Sequence, residues 1–253
     1  METQIKTDTE IAAMREGGRM LATVLQYLKS VIKPGMTTKE LADMAAVKLK
    51  ELGDGQASFL GYHGFPDVIC VSINEEVVHG IPNKHKVIND GDIVGLDFGV
   101  TYKGMITDAA ISVIAGKPKQ RGHIQLIQDT EEALLLGIAA VHDQVRTGDI
   151  GAAIEGHLKK RRYGIVRDLV GHGVGHNLHE DPNIPNYGRA NTGPWLSKGM
   201  TIAIEPMVTL GTDRVKTAED GWTILTADKS RSAHFEHTVL ITETGAEILT
   251  KLG

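Results

Sequence analysis

Among the 253 residues, a pattern that occurs twice limits the fold more than any other feature. Ile32-Lys33-Pro34-Gly35, ahead of one helical segment, is echoed by Val145-Arg146-Thr147-Gly148 ahead of another. His79-Gly80-Ile81-Pro82 returns as His179-Glu180-Asp181-Pro182. Gly91 and Asp97 bracket an apolar run, and Gly199 and Glu205 bracket a second one, each 108 positions further on. Thr107-Asp108 opening an apolar stretch to Ile114 matches Phe235-Glu236 opening one to Thr242. One such match is within reach of chance; four in the same order are not. The repeat predicts two related αβ halves, roughly 1–116 and 117–253, folded together about a pseudo-twofold axis where the matched acidic and histidine residues meet.

The periodicity agrees. Ile11, Met14, Leu21, Leu25, Leu28 and Ile32 recur at helical spacing after a Thr7-Asp8-Thr9 start signal. Thr37 and Glu40 have capping-box spacing, with Leu41, Met44, Val47 and Leu52 as the expected apolar face of a second helix. Strands are expected at 68–73, 93–100 and 105–114, helices at 124–145 and 150–162, and further strands at 201–210, 222–225 and 235–241.

Composition excludes several classes. A formal charge of -5 argues against a broadly basic nucleic-acid-binding surface, so no DNA partner is expected. Cys70 is the only cysteine, which removes internal disulfides and Cys-rich zinc modules. Met1 to Glu16 is polar and lacks the apolar core of a signal peptide, and no run approaches a membrane span. A cytoplasmic location is the expectation.

Four carboxylates sit inside apolar runs: Asp97, Asp108, Glu205 and Glu236. Burying a carboxylate costs several kcal/mol unless it is paired, and these runs contain no lysine or arginine. If the acids face inward, two divalent cations would balance them, with a neutral imidazole as a further ligand. His172 is the favoured imidazole, because Gly171-His172-Gly173-Val174-Gly175 lets the backbone approach closely. The same segment is not a dinucleotide fingerprint, since His176 stands where the third glycine would be. His79 and His179, matched by the repeat, are expected beside the metals; the alternative for both is a turn role shared with Pro82 and Pro182.

Gly61-Tyr62-His63-Gly64-Phe65-Pro66, Ser72-Ile73-Asn74, Asp97-Phe98-Gly99, Glu205-Pro206-Met207 and Phe235-Glu236-His237-Thr238, with the histidine motifs above, resemble type I methionine aminopeptidases over nearly the whole chain. The resemblance implies an α/β (α+β) pita-bread fold, one catalytic domain over 1–253, and removal of the initiator methionine from nascent proteins whose second residue is small. It implies Asp97, Asp108, His172, Glu205 and Glu236 as ligands of two divalent ions (Co, Mn, Fe or Zn), with Asp108 and Glu236 bridging. Glu205 would shuttle the proton of the attacking water, His179 would donate to the carbonyl oxygen, and His79 would contact the scissile amide nitrogen. The substrate amine would bind one metal. Tyr62, Phe65, Cys70, Leu178 and Trp222 are the candidates for the methionine pocket, although Phe65 and Cys70 would also suit a plain core. The sequence departs from the family at His234, where glutamine is common, and at Leu178, where an aromatic is frequent.

Rival readings are a proline-specific aminopeptidase or prolidase of the same fold, a non-catalytic peptide-binding relative, and a metal-dependent nuclease or phosphatase. The first usually needs an extra N-terminal domain, the second loses ligands, and the third leaves the repeat and the glycine–histidine segment unexplained. The basic run Lys159-Lys160-Arg161-Arg162 is read first as a solvated helix end, and second as a transient contact with the ribosome. The reaction requires one chain only, so a monomer is expected, without membrane association.

Overall fold

The computed structural model describes residues 5–252. The first four residues of the polar N-terminal stretch, and Gly253, lie outside the described residues. Helix α1 spans Asp8–Val31 and α2 spans Thr38–Glu51. Both begin in capping boxes: the Glu10 carboxylate accepts the Thr7 N–H at 2.7 Å, and that of Glu40 accepts the Thr37 N–H at 2.6 Å. The expected apolar face of α2 needs one correction. Leu41, Ala45 and Leu49 recur every fourth residue and are buried, whereas Val47 falls on the opposite side and is 60% exposed.

Helix α3 covers Arg121–Ala139 and α4 covers Thr147–Lys159. The expected helix to residue 145 stops early. Gln144 takes a left-handed backbone (φ 60°), and Val145 and Arg146 instead pair with Leu196 and Trp195. The α4 start comes sooner than periodicity indicated, because the Asp149 carboxylate accepts the Arg146 N–H at 3.0 Å.

Nine strands form the central antiparallel sheet: β1 Gln56–Ala57, β2 Cys70–Ile73, β3 Ile93–Tyr102, β4 Met105–Ile114, β5 Gly171–Gly173, β6 Glu180–Ile184, β7 Thr201–Ile204, β8 Glu236–Ile241 and β9 Ala246–Ile248. Its order is β1-β3-β4-β8-β7-β5-β6, with β2 also on β3 and β9 on β8. About the β4/β8 joint the order is symmetric: β3 answers β7, and β2 answers β5. This is the pseudo-twofold arrangement that the repeat predicts, and it agrees with the pita-bread fold that the resemblance implies. One apolar cluster packs under α1 and α2, around Leu96, Phe98 and Leu28; another packs under α3 and α4, around Ile202, Ile204 and Val239.

One expected strand is interrupted. The 201–210 run divides into β7 and Met207–Thr209, whereas the 235–241 run is found as β8, preceded by a separate short strand, Ser232–His234. The break falls at Glu205-Pro206, where proline has no N–H for the ladder. Near 222–225 the strand is Ile224–Thr226; Trp222 belongs to a turn in which its N–H bonds the Asp220 carboxylate at 2.9 Å.

Candidate metal centre and substrate cavity

Register explains how three acids come together. Asp97 on β3 pairs with Ala110 on β4, which pairs with Glu236 on β8, and Cys70 on β2 pairs with Asp97 from the other side. Directly paired residues share a face of the sheet, so these four side chains form a row in which Ala110 takes little space. Asp108, two residues before Ala110, lies on the same face. The Asp108 backbone is held across the β4/β8 joint by Thr238, whose hydroxyl accepts the Asp108 N–H at 2.9 Å and donates to its carbonyl at 2.8 Å. Glu205 enters from the proline break, and Asn186 donates to its carbonyl at 3.0 Å.

His172 projects from β5. A side chain at Gly171 would collide with the Ala203 carbonyl oxygen of β7, so only glycine lets the strand lie this close. The His172 Nδ1 lies 2.9 Å from the Gly173 carbonyl, which must accept, so Nδ1 carries the hydrogen. Nε2 is left with its lone pair, 3.4 Å from Glu205 Oε1. Burial, with His179 nearby, lowers the His172 pKa to about 3, keeping the ring neutral.

Among the described residues, these carboxylates find no lysine or arginine partner. The ion-pair neighbours of Glu205 and Glu236 are histidines. Asp97 Oδ1, Asp108 Oδ1 and Glu236 Oε1 are buried without any hydrogen-bond partner. Burial raises the Asp97 pKa to about 7 and pushes Asp108, Glu205 and Glu236 well upward, with repulsion among the acids adding to it. Donor atoms of Asp108, His172 and Glu236 lie within 4.8 Å of one another. A set of orphaned carboxylate oxygens and a neutral imidazole suits divalent cations, which would supply the missing positive charge.

One cavity of about 410 Å³ is lined by all twelve residues singled out from the sequence for catalysis, binding or ligation. Phe65 and Trp222 meet edge to face at 5.2 Å, and with Cys70, Leu178 and Tyr62 they form an apolar cluster. Phe59 and His63 also line the cavity and were missed by sequence reasoning. Phe59 was legible only indirectly: a side chain at Gly99, in the Asp97-Phe98-Gly99 motif, would press on its ring.

His179 stacks near His172, with ring centroids 4.2 Å apart, and its Nδ1 lies 2.8 Å from the Tyr62 hydroxyl. The loop before His179 is fastened by Glu180, whose carboxylate accepts the N–H of His176 at 2.7 Å and of Asn177 at 3.0 Å. The same carboxylate pairs with buried Lys6 at 2.8 Å. His79 has a left-handed backbone (φ 59°), and burial lowers its pKa to about 4.

Comparison with known proteins fits this geometry. The family described as Metallopeptidase family M24 matches residues 12–243. The chain belongs to that metallopeptidase family. Methionine aminopeptidase 1 of Bacillus subtilis is 46% identical over 247 residues, covering 98% of both chains. The methionine aminopeptidase of Escherichia coli K12 is 40% identical over 250 residues, covering 99% of this chain and 94% of that one. The crystal structure of methionine aminopeptidase from Thermotoga maritima superposes with a TM-score of 0.96 at 47% identity, covering 99% of this chain and all of that one. The prolidase of Pyrococcus furiosus, at 24% identity and a TM-score of 0.76, shares the fold; 98% of this chain covers only 66% of its length. The proline-specific alternative therefore rests on a distant likeness of fold alone.

Proposed function

We propose that this chain is a metal-dependent aminopeptidase that removes the initiator methionine from nascent proteins whose second residue is small. The observation that carries the reading is the meeting, in one cavity, of an uncompensated carboxylate–imidazole set with an apolar lobe. Near-full-length similarity to proteins named methionine aminopeptidase supports it.

Asp97, Asp108, His172, Glu205 and Glu236 would hold two divalent ions. Bound there, such ions supply an activated water at neutral pH and polarise a carbonyl. Glu205 takes the proton of the attacking water and passes it to the leaving amine. The phenol of Tyr62, its pKa raised by burial and by Asp108, stays protonated 2.8 Å from His179 Nδ1. With the phenol donating to Nδ1, His179 would carry its hydrogen on Nε2, where it can bond the carbonyl oxygen as negative charge develops. His79, neutral, faces the scissile amide nitrogen. Tyr62, Phe65, Cys70, Leu178 and Trp222 receive the methionine side chain, whose sulfur gains from aromatic edges.

We read the chain as a single catalytic domain over residues 1–253, with halves 1–116 and 117–253, and the continuous sheet among the described residues supports that reading. A cytoplasmic monomer is the setting this chemistry calls for; no helix among the described residues is long and apolar enough to cross a membrane. The ribosome contact is the weaker reading of the basic run. Lys159 pairs with Glu155 at 3.0 Å and Arg161 with Asp129 at 2.6 Å, so half the run is engaged within the α3/α4 pair.

The test is methionine release from a Met-Ala-initiated peptide by chelated protein, before and after Mn, Co, Fe or Zn is restored, with an Ala-Pro-initiated peptide in parallel. Metal-restored methionine release with the proline peptide intact is expected. Cleavage of neither peptide under any metal would point to a non-catalytic peptide binder.

A further inference from the structure

His234 is buried among the carboxylates, yet the proposed chemistry gives it no role. It ends the strand Ser232–His234, and Phe235 carries the chain on to Glu236, so residues 234 and 236 project to the same side. Its backbone is fixed twice by Ser112, whose hydroxyl donates to the His234 carbonyl and accepts its N–H, both at 2.9 Å. The side chain is only 4% exposed. Nε2 lies 3.7 Å from Glu205 Oε2 and 4.0 Å from Glu236 Oε2, and it has no hydrogen-bond partner. Those separations are too long for hydrogen bonds. They match two donors that share one ion, each about 2.0–2.2 Å from it.

We propose that His234 is a sixth protein ligand of the metal centre, adding a second imidazole through Nε2 beside Glu205 and Glu236. The inference rests on reading the cavity as a metal site. Glutamine, common at this position in the resembling family, offers no imidazole, so the centre of this chain is richer in nitrogen. Imidazole suits Zn, Fe and Co, whereas all-oxygen surroundings suit Mn. The second ring therefore shifts preference away from Mn.

The experiment compares chelated wild-type protein with His234→Gln. Co(II) titration is followed by visible d–d absorption, and Zn is competed against Mn by equilibrium dialysis with elemental analysis. Loss of an outer partner alone weakens a metal site by about 10–100-fold, so at least tenfold weaker Co(II) binding is expected, with an altered absorption envelope and a reduced Zn-over-Mn ratio. Circular dichroism of the metal-free variant checks folding. If that variant misfolds, His234→Ala with added imidazole replaces it, and recovery of the wild-type spectrum is then expected. An unchanged spectrum and metal preference in a folded variant would overturn the assignment and leave His234 as packing. Absence of Co(II) binding by the wild type would overturn the metal reading itself, a result distinct from an unaltered variant.

Discussion

The Tyr62–His179 contact is compatible with two tautomers, and the role proposed for His179 selects one. With the Tyr62 phenol donating to Nδ1, the hydrogen on Nε2 would be available to the substrate without any change of charge. Removing one donor of this kind costs about 10²–10³ in kcat when the donor serves the transition state more than the ground state. His179→Ala is therefore expected to lower kcat by about 10²–10³ with little change in KM, measured on the Met-Ala peptide. Tyr62→Phe should act in the same direction but less, since it removes only the tautomer control. At this scale the sequence was informative about acids and less so about rings. A carboxylate in an apolar run announces itself through its desolvation cost, whereas His63 and Phe59 sit in polar or short segments that carry no such contradiction.

Elements deliver these side chains by close backbone approach and by deliberate interruption. Gly171→Ala would push the added methyl against the Ala203 carbonyl, a backbone atom that cannot swing away. A loss of about 1–3 kcal/mol in folding stability is expected, read from urea unfolding, together with weaker metal retention because His172 moves. The α1 capping box makes a prediction in pH. Glu10 is held down to about 2 from its ordinary 4.5, first by the Thr7 backbone N–H and next by His176. Its contribution is thus complete above about pH 4.5 and fades as pH falls toward 2. The melting temperature of Glu10→Gln should lie below wild type near neutrality, and the gap should close through that window. Both capping boxes were legible, because Thr and Glu three apart satisfy the first-turn N–H groups wherever the rest of the chain lies. The ends of α3 and the split of the 201–210 run were not, since they depend on a left-handed Gln144 and on where Pro206 meets the neighbouring strand.

For the whole molecule, the controlling fact is that the donors come from both sides of the sheet joint. Metal should stabilise the native state alone, by about 2.7 kcal/mol at a free concentration 100 times Kd. Calorimetry across a Co(II) series should show a melting temperature that climbs with the logarithm of metal; a melt indifferent to Co(II) would contradict the buried-acid argument. Within the central sheet the joint is short, since β4 and β8 pair at two positions against ten in the β3/β4 hairpin, but the halves also meet through Thr238 on Asp108, Lys6 with Glu180, Ser112 with His234 and the pairing of Val78 with Ile224. The segment 117–121 that leads from one half to the other is exposed throughout. A cut there would leave one fragment with Asp97 and Asp108, and a second with His172, Glu205 and Glu236. Neither piece holds the complete proposed ligand set, so bound ions would act as a removable staple added to the polar and strand contacts between the halves, and chelator should weaken the association of the two pieces on a sizing column.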